Sequence, residues 1–95
     1  MTALDDLLRD YRAALLRYLP RREEAALATG YELGRAAVAR DVSLLDVVRV
    51  HNDVLAEVLR DTPDDDRDRV ATAAAEFLPE VLSTYDMSQR RDRQR

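Results

Sequence analysis

The chain has 95 residues, the size of one small domain, and 46% of them are hydrophobic, with only 2 Gly and 3 Pro. It contains no Cys, which excludes disulfides and thiolate metal sites, and no apolar run approaches the roughly 20 residues of a membrane-spanning helix. All 15 basic residues are Arg, and residues 1–89 carry 11 of them against 18 Asp and Glu, a balance that repels nucleic-acid phosphates. We therefore expect a cytoplasmic, mainly helical domain with neither a nucleic-acid nor a membrane partner.

Capping patterns divide the chain into four predicted helices. A Thr or Ser is followed three residues later by Asp at three places, which are Thr2–Asp5, Ser43–Asp46 and Thr62–Asp65. This pattern is typical of helix N-termini, because the hydroxyl accepts an unpaired backbone N–H and the carboxylate favours the positive helix end. With Pro20 as a further break, we predict helices over about 3–19, 21–40, 44–60 and 63–90. The links are short, so the fold class is all-α, an antiparallel four-helix bundle in a domain of residues 1–90 with a basic tail over 91–95.

The first two helices differ in how they bury apolar residues. In the first, a stripe with spacings of four and three forms the predicted core face, and it comprises Leu4, Leu8, Tyr11, Leu15 and Tyr18. Leu16 falls among charged residues on the opposite side. In the second, Gly30 and Gly34 stand about one turn apart on the buried side. Glycine costs about 1 kcal/mol relative to alanine inside a helix, so we predict that another helix packs closely there.

The third helix is apolar around roughly two-thirds of its circumference, which is wider than the buried face of an ordinary bundle helix. Two interpretations are open. The helix is enclosed within a lopsided bundle, or its second side meets another chain. We favour the second interpretation, because an exposed apolar surface of that extent usually marks an interface. It predicts a homodimer whose interface includes Leu45, Val47, Val50 and Val54.

The fourth helix combines a long core stripe with a proline in its middle. The stripe comprises Val70, Ala74, Phe77, Leu78, Val81 and Tyr85. Pro79 falls on the opposite face, where water can reach the carbonyl that the proline leaves unpaired. We therefore expect the helix to bend at Pro79 and to continue beyond it. Met87 is predicted on the solvent side.

The sequence offers little material for catalysis. His51, the one histidine, lies within the apolar arc of the third helix. It is either a pH-sensitive or partner-facing group, or a core residue that is hydrogen-bonded to another helix. We favour the core role. The acidic run 64–66 is explained by the positive end of a helix, and it lacks the alternating spacing of a calcium loop. No Ser stands near a base in the sequence. We therefore predict no metal, no cofactor and no enzymatic activity.

Three segments together resemble a known family. They are Tyr-Glu-Leu-Gly-Arg at 31–35, Leu-Asp-Val-Val-Arg-Val-His at 45–51, and the stretch 77–90 that ends in an aromatic–acid–Met–x–x–Arg pattern. In this order and spacing they look like the N-terminal domain of RsbU-type phosphoserine phosphatases, of the actinobacterial type, over nearly the whole chain. The last segment is the most specific, whereas the first alone is a weak signal.

The resemblance implies a four-helix regulatory domain that dimerises and recruits an RsbT-like switch kinase in a bacterial stress-response pathway. Carried over by position, it implies that Tyr85, Asp86, Met87 and Arg90 bind the partner or lead to the next module. His51 matches a His that is common in the third helix of the family. Two departures are Arg91, where the family usually has Gly, and Pro79. These 95 residues include no phosphatase domain, so we expect a regulatory role and no catalytic step.

The sequence also leaves open a function of a different class, that of a small-molecule sensor. A small molecule could enter the bundle core beside His51, Gly30 and Gly34, and the domain would then act as a ligand sensor. Such a sensor requires a cavity lined by those residues, whereas an interaction domain requires an apolar or charged external surface.

Overall fold

The computed structural model describes the backbone of residues 2–93 and the side chains of residues 2–88. The chain forms four α-helices, which are α1 (Ala3–Tyr18), α2 (Glu24–Ala39), α3 (Leu44–Arg60) and α4 (Asp64–Arg93). The described residues contain no β-strand. The predicted all-α four-helix fold is therefore confirmed, with helix ends displaced by at most a few residues. Within the described part of the chain, no helix is both long enough and apolar enough to cross a membrane.

Two of the three predicted N-terminal caps form as expected. At α1, the hydroxyl of Thr2 accepts from the backbone N–H of Asp5 at 3.1 Å, and the Asp5 carboxylate accepts from the Thr2 N–H at 3.2 Å. This is a complete capping box, which satisfies two donors that the helix itself leaves unpaired. At α3, Ser43 Oγ accepts from the backbone N–H of Asp46 at 3.0 Å. The local sequence thus determines where these two helices begin.

The predicted cap at Thr62 is wrong. Its hydroxyl donates instead to the carbonyl of Val58 at 2.7 Å, and α4 begins at Asp64. The link between α3 and α4 is so short that Thr62 still lies beside the last turn of α3. There its hydroxyl donates a second hydrogen bond to a carbonyl in the last turn of α3, which also accepts from the backbone N–H of Asp61 at 3.1 Å.

The helices alternate in direction, as the short links require. The ion pair between Arg40 Nη2 and Asp6 Oδ2, at 3.1 Å, joins the end of α2 to the start of α1, so these two helices are antiparallel. Contacts between α1 and α3 follow the same order along both chains, with Tyr11 on His51 and Arg12 on Glu57, so α1 and α3 are parallel. The most extensive packing is between α2 and α4, which also run parallel.

Close packing of α2 on α4 depends on the two glycines. A Cβ added at Gly34 would lie 2.1 Å from the carbonyl oxygen of Val81 and 2.5 Å from Thr84 Oγ1. A Cβ added at Gly30 would lie 3.0 Å from two ring atoms of Phe77. The predicted close approach at these glycines is therefore confirmed, and the neighbouring helix is α4.

The core contains most of the predicted apolar residues, but the buried face of α1 is rotated slightly from the predicted face. Leu7 is 6% exposed, whereas Leu4, which was predicted in the core, is 40% exposed. The buried face of α1 consists of Leu7, Tyr11, Ala14, Leu15 and Tyr18. On α4, Val70, Ala74, Phe77 and Val81 are buried as predicted, and Pro79 lies exposed within an uninterrupted helix. The rotation of α1 leaves Leu4 and Leu8 at the edge of the core.

The link between α1 and α2 is fastened to α4 by an ion pair. Arg22 has a φ of 54°, a left-handed conformation that non-glycine residues rarely adopt. Its guanidinium donates two hydrogen bonds to the carboxylate of Glu76, which also accepts from the hydroxyl of Tyr18 at 3.2 Å. Hydrogen bonding from Arg22 lowers the pKa of Glu76, and the same interaction raises the pKa of Arg22. The ion pair therefore joins the α1–α2 link to the middle of α4, and the backbone N–H of Arg22 donates to the Tyr18 carbonyl at 2.8 Å.

Candidate functional site

The three residues of the predicted partner-binding signature whose side chains the structure describes, Tyr85, Asp86 and Met87, do not form one surface. Tyr85 is half-buried, and its hydroxyl donates to the carbonyl of Val42 at 2.7 Å, which fastens the α2–α3 link to α4. Burial, and to a smaller extent the charge of Asp46, raises the pKa of Tyr85. Tyr85 therefore has a structural role, whatever else it contacts.

The two residues after Tyr85 lie on different sides of α4. Asp86 is exposed and lines a shallow depression with Tyr85, Leu44 and Leu82, on the α3 side. Met87 is exposed as predicted and lines a groove of about 250 Å³ on the α2 side. The side chain of Arg90 lies outside the described residues. A partner that binds both Asp86 and Met87 must therefore contact two sides of α4 rather than enter one pocket.

The structure changes the predicted dimer surface. Val47 and Val54 are 0% exposed and Val50 is also buried, so within this fold these three pack in the core of their own chain. The reason is that α3 lies against both α1 and α4, which together cover more of its circumference than one neighbour would. Of the four predicted interface residues, Leu45 alone is on the surface, where it is 59% exposed.

An apolar surface remains beside Leu45, along the outer side of α3 and α4. Leu44 is exposed and lines the same depression as Leu82, so the start of α3 lies beside this part of α4. We call this surface the α3/α4 face, formed by Leu44, Leu45, Val48, Leu55 and Leu59 of α3 and by Leu78 and Leu82 of α4. All seven are exposed or half-buried. Val48 and Leu78 were not assigned to a surface from the sequence, although their spacing of four from Leu44 and Leu82 signals a shared row.

His51 is a core residue, as favoured from the sequence. Its Nδ1 is hydrogen-bonded to the hydroxyl of Tyr11 at 2.7 Å, and both side chains are buried. The Tyr11 ring packs edge-on against His51 and against Phe77. Burial lowers the pKa of His51 and raises the pKa of Tyr11. A neutral histidine with an aromatic hydroxyl as partner is a satisfied core pair, with no nucleophile beside it.

The space beside the glycines is filled. Phe77 and Val81 occupy the position where a Cβ on Gly30 would lie, and the best-formed cavities are open grooves lined by other residues. Among the described residues, no group of His, Asp and Glu is arranged to hold a metal ion. Within the described part of the chain, none of these grooves is lined by His51, Gly30 or Gly34, the residues that the ligand-sensor interpretation requires.

A second external feature is a groove between the parallel helices α1 and α3, which we call the α1/α3 groove. It consists of two cavities in succession. The first has about 240 Å³ and is lined by Leu4, Asp5, Leu8, Asp46, Arg49, Val50 and Asp53. The second has about 270 Å³ and is lined by Arg12, Leu16, Glu57, Val58, Asp61 and Thr62. This groove was missed from the sequence, because Leu4 and Leu8 were assigned to the core and Leu16 was treated as isolated.

Comparison with protein families gives a match over most of the chain. The profile described as phosphoserine phosphatase RsbU, N-terminal domain, matches residues 9–88. The chain belongs to this family. The resemblance noted in the sequence is thereby confirmed. Comparison with curated proteins gives no significant match, and comparison with solved structures gives none either.

The RsbU N-terminal domain match includes parts of all four helices, the whole α3/α4 face and the α1/α3 groove apart from Leu4, Asp5 and Leu8. It contains Tyr85, Asp86 and Met87 but ends before Arg90. The N-terminal domain of RsbU is a regulatory region distinct from the catalytic phosphatase domain, and these 95 residues contain no catalytic domain. The family therefore indicates a regulatory role for this domain in a phosphatase of a partner-switching pathway.

Proposed function

We propose that this RsbU N-terminal domain is a cytoplasmic protein-interaction module of a stress-response partner-switching pathway, which forms a homodimer and recruits a switch kinase of the RsbT type. The observation that carries the proposal is the α3/α4 face, an exposed apolar surface on a regulatory domain without a catalytic centre. Exposed apolar surfaces on small domains mark protein interfaces.

The α3/α4 face favours a second copy of the same chain as its occupant. Its seven residues are all apolar, and Asp86 is the charged residue that lines the depression at Leu44 and Leu82, so two copies related by a two-fold axis meet mainly through uncharged side chains. The row along α4 from Ala71 through Ala75 and Leu78 to Leu82 also contains no charged side chain. A domain of 95 residues buries a modest share of its own surface, and dimerisation adds buried apolar area to the folded state.

Analytical ultracentrifugation at micromolar concentration tests the dimer with three proteins. The wild type is expected to sediment as a dimer and Leu45→Glu as a monomer. Leu16→Glu is the matched control, because Leu16 is a similarly exposed leucine, at 48%, away from the α3/α4 face, and this variant should stay dimeric. A monomeric wild type, or a Leu45→Glu variant that dimerises as strongly as the wild type, contradicts this part of the proposal.

Recruitment of the kinase is proposed to use the exposed residues of the C-terminal signature. Asp86→Arg and Met87→Glu change side chains at the surface of α4 without disturbing the Tyr85 hydrogen bond to Val42. We expect each variant to weaken binding of the pathway's own switch kinase about tenfold, measured by biolayer interferometry. Thr72→Glu, at an exposed position on the same helix, is the control and should bind as the wild type does. Equal binding by all four proteins would exclude the signature as the docking element.

A further inference from the structure

The α1/α3 groove has a regular apolar side. Leu4, Leu8 and Leu16 lie on one row of α1, because their positions differ by multiples of four. Leu8 lines the first cavity and Leu16 the second. At a rise of 1.5 Å per residue, these two leucines lie about 12 Å apart along the helix axis. The groove therefore offers two apolar pockets separated by about two helical turns.

The opposite side of the groove is acidic. Of the five carboxylates that line the two cavities, Asp46, Asp53, Glu57 and Asp61 lie on α3 or at its end, together with Arg49, whereas Asp5 and Arg12 lie on α1. Arg12 is paired with Glu57, with its Nη2 2.8 Å from Glu57 Oε2, and both residues line the second cavity. Arg49 lies 3.9 Å from Asp46. With both arginines beside carboxylates, the groove keeps an excess of negative charge along α3.

We propose that the α1/α3 groove binds an amphipathic helix of a partner protein, with two apolar side chains seven or eight positions apart and Arg or Lys along the flank that faces α3. A helix fits because seven or eight residues span about 11–12 Å, which is the separation of the pockets. Basic residues fit because they complement the acidic side of the groove. The inference rests on the proposed role in recruiting a partner, and it assigns that partner a second contact, separate from the C-terminal signature.

Synthetic helical peptides with a fluorescent label provide the test, with binding measured by anisotropy. The first peptide carries two Leu seven positions apart and an Arg flank. The second has the same Leu residues and a Glu flank, and the third has the Arg flank with both Leu replaced by Ala. We expect the wild-type domain to bind the first peptide at least about tenfold more tightly than the others. Failure to bind the first peptide, or equal binding of all three, would overturn the proposal.

Variants of the domain locate the binding. Leu16→Glu should lose at least about tenfold in affinity for the first peptide. Asp53→Arg, at an exposed position in the first cavity, should reduce the preference for the Arg flank over the Glu flank, because it lowers the negative charge of the lining. This change in preference keeps the test decisive even where Leu16→Glu lowers the melting temperature. If either variant binds all peptides as the wild type does, the groove is not the site.

Two control variants separate this proposal from the function proposed above. Glu32→Arg changes an exposed carboxylate of α2 that lines neither cavity, and Leu45→Glu changes the α3/α4 face. Both should bind the first peptide with wild-type affinity, and weakened binding by either would count against the groove. The dimer and the kinase contact have their own assays and variants. Failure of the groove proposal therefore leaves those results unchanged, and their failure leaves the peptide result unchanged.

Discussion

Replacing Gly34 with alanine places a Cβ where α4 already lies. The added atom would be 2.1 Å from the carbonyl oxygen of Val81, whereas ordinary contacts begin near 3.4 Å, so α2 and α4 must separate by about 1 Å. Inserting an atom into a packed core costs about 1–3 kcal/mol, and alanine returns about 1 kcal/mol through its higher helix propensity. The clash is with backbone, which cannot rotate away, so we expect a cost at the upper end and a net loss of about 2 kcal/mol in the free energy of unfolding.

Urea denaturation followed by circular dichroism measures this loss. For a domain of this size, a 2 kcal/mol loss corresponds to a fall of about 8–16 °C in the melting temperature. Gly30→Ala is the matched control, because its Cβ would meet ring atoms of Phe77 at 3.0 Å, and a side chain can move by a few tenths of an ångström. We expect Gly30→Ala to stay within about 1 kcal/mol of the wild type. A Gly34→Ala variant as stable as the wild type would refute the packing argument, since propensity alone predicts a gain.

Four further substitutions test a buried hydrogen bond, a buried histidine, a helix cap and an ion pair. Tyr11→Phe leaves the buried Nδ1 of His51 without its partner, so the free energy of unfolding in urea should fall by about 1–3 kcal/mol. Burial lowers the pKa of His51 from 6.5, so below that pH the unfolded state binds a proton more readily than the folded state does. The wild type should therefore lose stability relative to His51→Leu as the pH falls through 6.5. Ser43→Ala removes the cap of α3 and should cost about 1 kcal/mol by the same assay, whereas no change would show that the cap is dispensable. Glu76→Gln should lower the melting temperature at neutral pH, and the deficit should shrink at pH values below 4.5, because the wild-type carboxylate with its lowered pKa is then progressively protonated. A deficit of Glu76→Gln that persists unchanged in acid would contradict an ionic role.

Helix number and position could be predicted because the signals are local. The cap at Thr2 acts within one turn of its helix, and the same is true of Ser43. Thr62 shows the limit of such signals. Its hydroxyl has two possible partners, the start of α4 and the end of α3, and the choice depends on how tightly the chain turns between them. That geometry is set by how the two helices pack, which a capping pattern does not contain.

The position of the surfaces could be predicted only in part. The sequence shows that α3 is apolar over a wide arc, but it does not show how much of that arc the chain's own helices cover. Coverage by α1 and α4 buries Val47, Val50 and Val54 and leaves Leu45 outside. The same ambiguity placed Leu4 in the core, since a stripe through Leu4 and one through Leu7 are both consistent with helical spacing. Tertiary packing decides between such alternatives.

The two proposed surfaces lie on opposite sides of α3, and this arrangement predicts how binding at one surface affects binding at the other. Asp46 and Asp53 belong to the α1/α3 groove, and Val48 and Leu55, each two positions further along, belong to the α3/α4 face. Two positions on a helix are about 200° apart, so a second copy seated on the face does not cover the groove. Dimerisation and groove binding should then be independent. In the double variant, the loss of peptide affinity should equal that of Leu16→Glu alone, and the loss of dimerisation should equal that of Leu45→Glu alone. Peptide affinity that depends on protein concentration across the monomer–dimer transition would show coupling, and would require the groove and the face to overlap.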